Sequence, residues 1–218
     1  MCFSAVASFA GGTVISGVGV ATQREKLKPE QRLFASIPFI FALQQFAEGA
    51  LWLTLGSGSH GVIQDTATKI FLAVALVAWP SVIPLSIYLM EKVKERKAVL
   101  ILLIVAGGIV SAFNAYSLVN YQVTAQIQGL HIKYLDNFPS SQGFIPVLYG
   151  VSTIVPLFVS SVKRVWILGL AISISLAVSV IFYTQFVTSV WCFFAALLSV
   201  MIFWIVRTSR KTLDVKTS

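Results

Sequence analysis

Seven apolar runs, each about as long as one bilayer crossing, take up most of this chain: Ser4–Thr22, Leu33–Leu55, Lys69–Met90, Ala98–Asn120, Phe144–Val162, Val165–Val187 and Ser189–Val206. A helix needs about 20 such residues to span the hydrocarbon core, because it rises only 1.5 Å per residue and every backbone group must bond within it. The runs predict an all-α polytopic membrane protein. The last two are nearly contiguous and predict a tight helical hairpin. Residues 1–207 then form one transmembrane domain, and residues 208–218 a basic tail.

Charge supports that class. Only 11% of the residues are charged and 57% are hydrophobic, against about 25% charged in soluble domains. The net charge of +8 is not a nucleic-acid footprint, since the basic residues sit in short clusters between apolar runs. Arg24, Lys26, Lys28 and Arg32 fill one loop; Lys92, Lys94, Arg96 and Lys97 fill another; Lys163 and Arg164 fill a turn; Arg207, Arg210, Lys211 and Lys216 fill the tail. With an odd number of spans these four clusters share one side, which leaves Lys69 and Lys133 on the other. The positive-inside rule makes the basic side cytoplasmic. The expected placement is therefore multi-pass in a bacterial inner membrane, N-terminus outside and C-terminus inside. No basic residue precedes the first run and only Met1 precedes Cys2, so neither a secretory leader nor a lipoprotein signal is expected. Ser4 is the expected N-cap of the first helix.

The longest outer connection, Tyr121–Gly143, alternates. Val123, Ala125 and Ile127 interleave with Gln122, Thr124 and Gln126; Leu130, Ile132 and Tyr134 interleave with His131 and Lys133. With Gln128-Gly129 as a two-residue turn, this predicts an extracellular β-hairpin between the fourth and fifth spans. Its apolar face would rest on the helices and its polar face would carry Thr124, Gln126, His131 and Lys133. Two roles stand open for it, a lid or a passive closing loop.

Of the eight acidic residues, Glu48 alone falls inside a predicted span. An intramembrane carboxylate costs roughly 2.5–3.5 kcal/mol and as a rule faces the bundle interior. Gln44, Glu48 and Trp52 recur every fourth residue, with Gln45 beside them, on one helix face. Asn114 and Ser111 lie at similar depth, as do Tyr183, Thr184, Gln185, Trp191 and Cys192. A pocket set of Gln44, Gln45, Glu48, Trp52, Trp79, Asn114, Tyr134, Gln185 and Trp191 is expected below the outer surface. For the glutamines and Asn114 a purely structural role, bonding between helices, stands beside that reading. Trp79-Pro80 and Pro84 predict a kink in the third span, and Pro38, Pro146 and Pro156 read similarly. Trp52, Trp166 and Trp204 fit an interfacial aromatic belt. Gly11, Gly12 and Gly17 suit close helix packing.

Cys2 and Cys192 both fall on the predicted outer side, where disulfides are permitted. A Cys2–Cys192 bond and two independent buried thiols are both open. So is chemistry: a metal or haem site with Cys2, Cys192, Glu48 and His131 as candidate ligands, a thiol–disulfide couple, or Cys2 as nucleophile with a base such as His131. Glu48 is a third catalytic candidate.

Met1-Cys2-Phe3-Ser4-Ala5, Gln44-Gln45 with Glu48 and Trp52, Gly129 with His131 and Tyr134, and Ser189-Val190-Trp191-Cys192 together resemble an uncharacterised family of small bacterial seven-span membrane proteins. These open Met-Cys-(Phe/Trp)-Ser-Ala and carry a domain of unknown function. The resemblance implies that these positions form a set at the outer end of the bundle; it implies no activity. Retinal proteins are excluded, since the last span has no lysine. A membrane zinc hydrolase would need more than the two histidines present and an intramembrane aspartate. The leading expectation is an outward-facing intramembrane pocket for a metal, cofactor or small amphipathic ligand. The alternatives are a membrane enzyme using the Cys2 thiol, and an accessory subunit of a larger complex. Membrane lipid is an expected partner, together with self-association or a partner subunit.

Overall fold

A computed structural model describes residues 4–57, 61–136, 138 and 143–214. In chain order the helices are α1 (Ala5–Gln23), α2 (Arg32–Gly56), α3 (Val62–Leu72), α4 (Trp79–Met90), α5 (Lys94–Asn120), α6 (Ile145–Val159), α7 (Val165–Phe182), α8 (Val187–Leu197) and α9 (Ser199–Asp214). A π-helical segment, Ala73–Ala78, joins α3 to α4 without a break. Strands β1 (Val123–Gln128) and β2 (His131–Asp136) form an antiparallel pair between α5 and α6.

Among the described residues, five helical stretches are long and apolar enough to cross a membrane: Ala5–Gln23, Pro29–Gly56, Val62–Met90, Lys94–Asn120 and Val165–Phe182. This is a multi-pass membrane protein. Two further apolar helices, Ile145–Val159 and Ser199–Thr208, are shorter. Large apolar side chains point outward along the bundle, among them Leu102 at 70% and Val119 at 81% exposure; a lipid phase, not water, suits such a surface.

Local chemistry explains the boundaries. Ser4 caps α1, its hydroxyl accepting from the Ala7 N–H at 3.2 Å. Lys28 is extended before Pro29, which opens the short 3-10 turn leading into α2. The third long helix begins at Val62 rather than Lys69, about two turns earlier than hydropathy suggests. Its first turns are amphipathic, burying Gln64, Ala67, Thr68, Phe71 and Leu72 while Asp65 sits in the first turn, where the helix dipole favours an anion. The expected last span, Ser189–Val206, is divided between α8 and α9, which meet at Leu198; the Leu198 N–H still bonds Phe194 O. The sixth ends at Phe182, and Tyr183 with a 3-10 turn (Thr184–Phe186) links it to α8.

α1 and α2 pack through exchanged phenylalanines. Phe46 lies against Gly12, Phe39 against Gly19 and Phe9 against Gly49, each so close that an added Cβ would meet the ring at 2.9–3.0 Å. Gly17, expected at this seam, faces open space. The main core joins α2, α4, α5, α6, α7 and α9 through Phe34, Ile37, Ile87, Leu100, Leu157, Leu168 and Ile205. A second cluster, with Leu51, Phe71 and Leu72, is completed by Ala125 and Ile132 of the strands.

The hairpin turn is Gly129-Leu130, one residue later than the alternation suggests, since Gln128 pairs with His131. Gly129 takes φ 63°, which suits the glycine-first type II′ turn of two-residue hairpins. The Ala125 face packs on α2 and α3, and Tyr134 stacks on Phe71 at 4.7 Å.

Candidate functional site

The middle of the third long helix is where the backbone departs from regular helix. Pro80 has no N–H to offer the carbonyls four or five residues before it, Leu76 and Ala75, and Pro84 likewise leaves the Pro80 carbonyl without its usual donor. In a membrane interior neighbouring helices must satisfy such groups. Asn114 Nδ2 of α5 donates to Leu76 O at 2.9 Å. Tyr149 of α6 donates its hydroxyl to Ala75 O at 2.6 Å. Ser111 Oγ donates to Val77 O at 2.7 Å and, its one proton so used, accepts from Ser81 Oγ at 2.8 Å. Pro80 O lies against Gly107, where any Cβ would come within 1.8 Å of it. Asn114 and Ser111 thus serve a backbone that two prolines have opened.

Beside this segment lies a cavity of about 410 Å³. Leu72, Ala75, Leu76 and Asn114 form one wall; Ile145, Pro146, Tyr149 and Gly150 of α6, Leu176 and Val180 of α7, and Val187, Thr188 and Trp191 of α8 form the others, with Phe138 at one end. Trp191 meets Tyr149 edge-on at 5.8 Å. A much smaller void, about 40 Å³, lies behind them, lined by Phe41, Trp79, Tyr149, Thr153 and Trp191. Trp79 stacks on Phe41 there at 4.1 Å.

Glu48 is fully buried, as are its neighbours Gln44 and Gln45. It faces α8 rather than the large cavity: Ser189 Oγ, itself fully buried, donates to Glu48 Oε1 at 2.6 Å. α8 therefore presents Ser189 to Glu48 on one face and Thr188 with Trp191 to the cavity on another.

The expected pocket set is thus divided. Asn114 and Trp191 line the large cavity and Trp79 the small one. Gln44, Gln45 and Glu48 are buried together on α2, with Glu48 bonded to Ser189 of α8, and Trp52 packs partly buried beside the hairpin cluster. Tyr134 and His131 point to opposite sides of the hairpin. His131 lies against Phe186 (4.7 Å) and Tyr183 (5.5 Å) in the α7–α8 connection, and burial there pushes its pKa below the ordinary histidine value. Lys133 Nζ donates to Gln185 Oε1 at 3.1 Å, so Gln185 belongs to this contact and not to the cavity. The hairpin is held on both faces, by α2 and α3 on one and by the α7–α8 connection on the other.

Among the described residues no three His, Cys, Asp or Glu side chains come together to hold a metal ion. Cys2, and with it the Cys2–Cys192 pairing, the Cys2 ligand role and the Cys2 nucleophile, lies outside the described residues; so does the Cys192 side chain.

Three participants have no role read from the residues themselves, Ser189 entering only within the resembling stretch Ser189-Val190-Trp191-Cys192. Tyr149 is one tyrosine in an apolar helix, and Ser189 meets Glu48 across 141 positions. The third is Glu91, at the opposite, basic end. Its buried carboxylate accepts from the Lys92 and Val93 N–H groups at 2.8 and 2.9 Å and from both the N–H and the hydroxyl of Ser161. Burial alone would raise its pKa, but these four bonds prevail and hold it below the usual 4.5. They tie the α4–α5 connection to the α6–α7 connection, where Arg164 takes φ 72° and lays its guanidinium over Trp204 at 4.4 Å.

The model of a family of unknown function (DUF6629) matches residues 1–217. No curated protein matches the chain, and no solved structure does.

Proposed function

The chain belongs to that family of unknown function, and we propose that it is a seven-span protein of the bacterial inner membrane which holds a small amphipathic ligand in the cavity beside Asn114, Tyr149 and Trp191. The spans are α1, α2, the helix from α3 through α4, α5, α6, α7, and α8 with α9. The hairpin and the start of α1 lie outside, and the four basic clusters inside. The charge asymmetry supports this orientation. The joining of α8 to α9 at Leu198 supports a seventh crossing. α6, with 15 residues, reaches about 22 Å and crosses where the bilayer thins locally.

One observation carries the functional reading: a volume of about 410 Å³ stays open next to a helix distorted by two prolines. Close-packed interiors leave few voids larger than a water molecule, and ligand cavities run from roughly 300 to 1,000 Å³ with mostly apolar walls and a few polar groups. π-helical turns recur at functional sites.

The test is thermal unfolding in phospholipid nanodiscs with added dodecanol, a small amphipathic probe. A ligand bound only to the folded state raises the midpoint with concentration. Wild type should show a saturable rise. Gly150→Phe should show none, because its side chain fills the cavity; an added Cβ there meets nothing within 4 Å. Equal responses in the two proteins would contradict the reading.

A further inference from the structure

We infer that the occupant of this cavity is a neutral, hydroxyl-bearing lipid that reaches it sideways from the bilayer, between α6 and α7; the inference rests on the ligand-cavity reading above.

Charge comes first. Among the described residues, no Lys, Arg, His, Asp or Glu lines the cavity. A charged headgroup inside would be desolvated without a counter-ion, which costs several kcal/mol even after relaxation. The occupant is therefore uncharged.

Two polar groups on the wall indicate what it carries instead. Asn114 spends one of its two amide N–H groups on Leu76 O, and among the described residues its carbonyl oxygen has no donor. The Thr188 hydroxyl, also on the wall, likewise has no partner among the described residues. One is an acceptor only; the other donates and accepts. A ligand hydroxyl offers what each of them lacks, a donor for Asn114 Oδ1 and an acceptor for Thr188 Oγ1. A hydrocarbon would leave both groups unmet, at about 1–3 kcal/mol each.

The route follows from where the wall is thin. Pro146 in the first turn of α6 and Val180 near the end of α7 both line the cavity and are themselves exposed. Around that gap Phe144 (68%), Val147 (59%), Ile181 (69%) and Phe182 (72%) face outward. These described rim residues are apolar, which suits contact with lipid rather than water. The chain of the occupant would leave through the gap while its hydroxyl stays at Asn114 and Thr188.

Three brominated probes of one length in nanodiscs test this: 9,10-dibromooctadecanol, the permanently charged 9,10-dibromooctadecyl sulfate, and 9,10-dibromooctadecane. Bromine quenches indole fluorescence on contact, and Trp191 stands on the wall. The share of quenching due to Trp191 is what Trp191→Phe removes. The alcohol should quench that share saturably, with half-saturation about tenfold lower than for the sulfate or the alkane. Thr188→Val should raise its half-saturation toward the alkane value, and Gly150→Phe should abolish the effect. Val180→Phe, which narrows the gap, should slow its onset. Equal quenching by alcohol and sulfate would overturn neutrality. Equal quenching by alcohol and alkane would overturn the hydroxyl, and an unchanged onset in Val180→Phe would overturn the sideways route; in these cases the cavity reading survives. Absence of Trp191 quenching by all three probes would remove the cavity reading itself.

Discussion

The bond from Asn114 to Leu76 O should matter only because Pro80 is a proline. In Asn114→Leu the Leu76 carbonyl loses its donor inside the bundle. An unmet buried acceptor costs about 1–3 kcal/mol in soluble proteins, and hydrogen bonds between membrane helices average about 0.6 kcal/mol. A loss of about 1–2 kcal/mol is expected. Pro80→Ala supplies a backbone N–H within reach of the same carbonyl, so in that background the further cost of Asn114→Leu should fall below about 0.5 kcal/mol, a coupling of about 1 kcal/mol. Unfolding of all four proteins by sodium dodecyl sulfate in mixed micelles, followed by far-ultraviolet circular dichroism, measures the cycle. Additive costs, agreeing within about 0.3–0.5 kcal/mol, would refute the claim that Asn114 serves the proline-opened backbone.

Neighbouring glycines of α5 should behave oppositely. Gly107→Ala drives a methyl group into Pro80 O and should cost about 3 kcal/mol or more in the same assay. Gly108→Ala meets nothing and should be neutral or gain about 0.5–1 kcal/mol. Glu91 has a folded-state pKa below its unfolded one, so its contribution is fully present above about pH 4.5 and is lost as pH falls through the lowered value. Glu91→Gln should cost about 1–3 kcal/mol at pH 7 and flatten the stability profile below pH 4.5; a mutant profile parallel to wild type would argue against the four-bond latch. For orientation, a cysteine at Gln128 should react with an impermeant maleimide in intact cells, and one at Lys94 only after permeabilisation. The reverse result would invert the topology.

Features with a local cause are legible in the sequence. Ser4 caps α1 because its hydroxyl meets a donor three residues on, and the alternation in Tyr121–Asp136 makes strands because one face is apolar. Even there the turn lies a residue later, as only Gly129 readily adopts positive φ. Hydropathy misses the start of α3 because Gln64, Asp65, Thr66 and Lys69 are polar, although their neighbours recur with helical period. Pro80 and Pro84 announce a distortion without saying which side chains repair it; Asn114, Ser111 and Tyr149 arrive from helices 30 to 74 residues away. The candidate site suffers most from this. Glu48 draws attention as a buried carboxylate, yet it turns to Ser189, while the open volume forms where five helices and the π-helical segment fail to close around Thr188 and Gly150. Depth in the membrane can be counted along a chain; the facing of two helices depends on packing that no single run records.

The central claim is that the cavity beside Asn114, Tyr149 and Trp191 is occupied in the membrane. Native mass spectrometry of the protein released from nanodiscs made with its own membrane lipids tests it directly. The account predicts one retained neutral lipid per chain in wild type and none in Gly150→Phe. Identical spectra from the two proteins, with or without adducts, would contradict it.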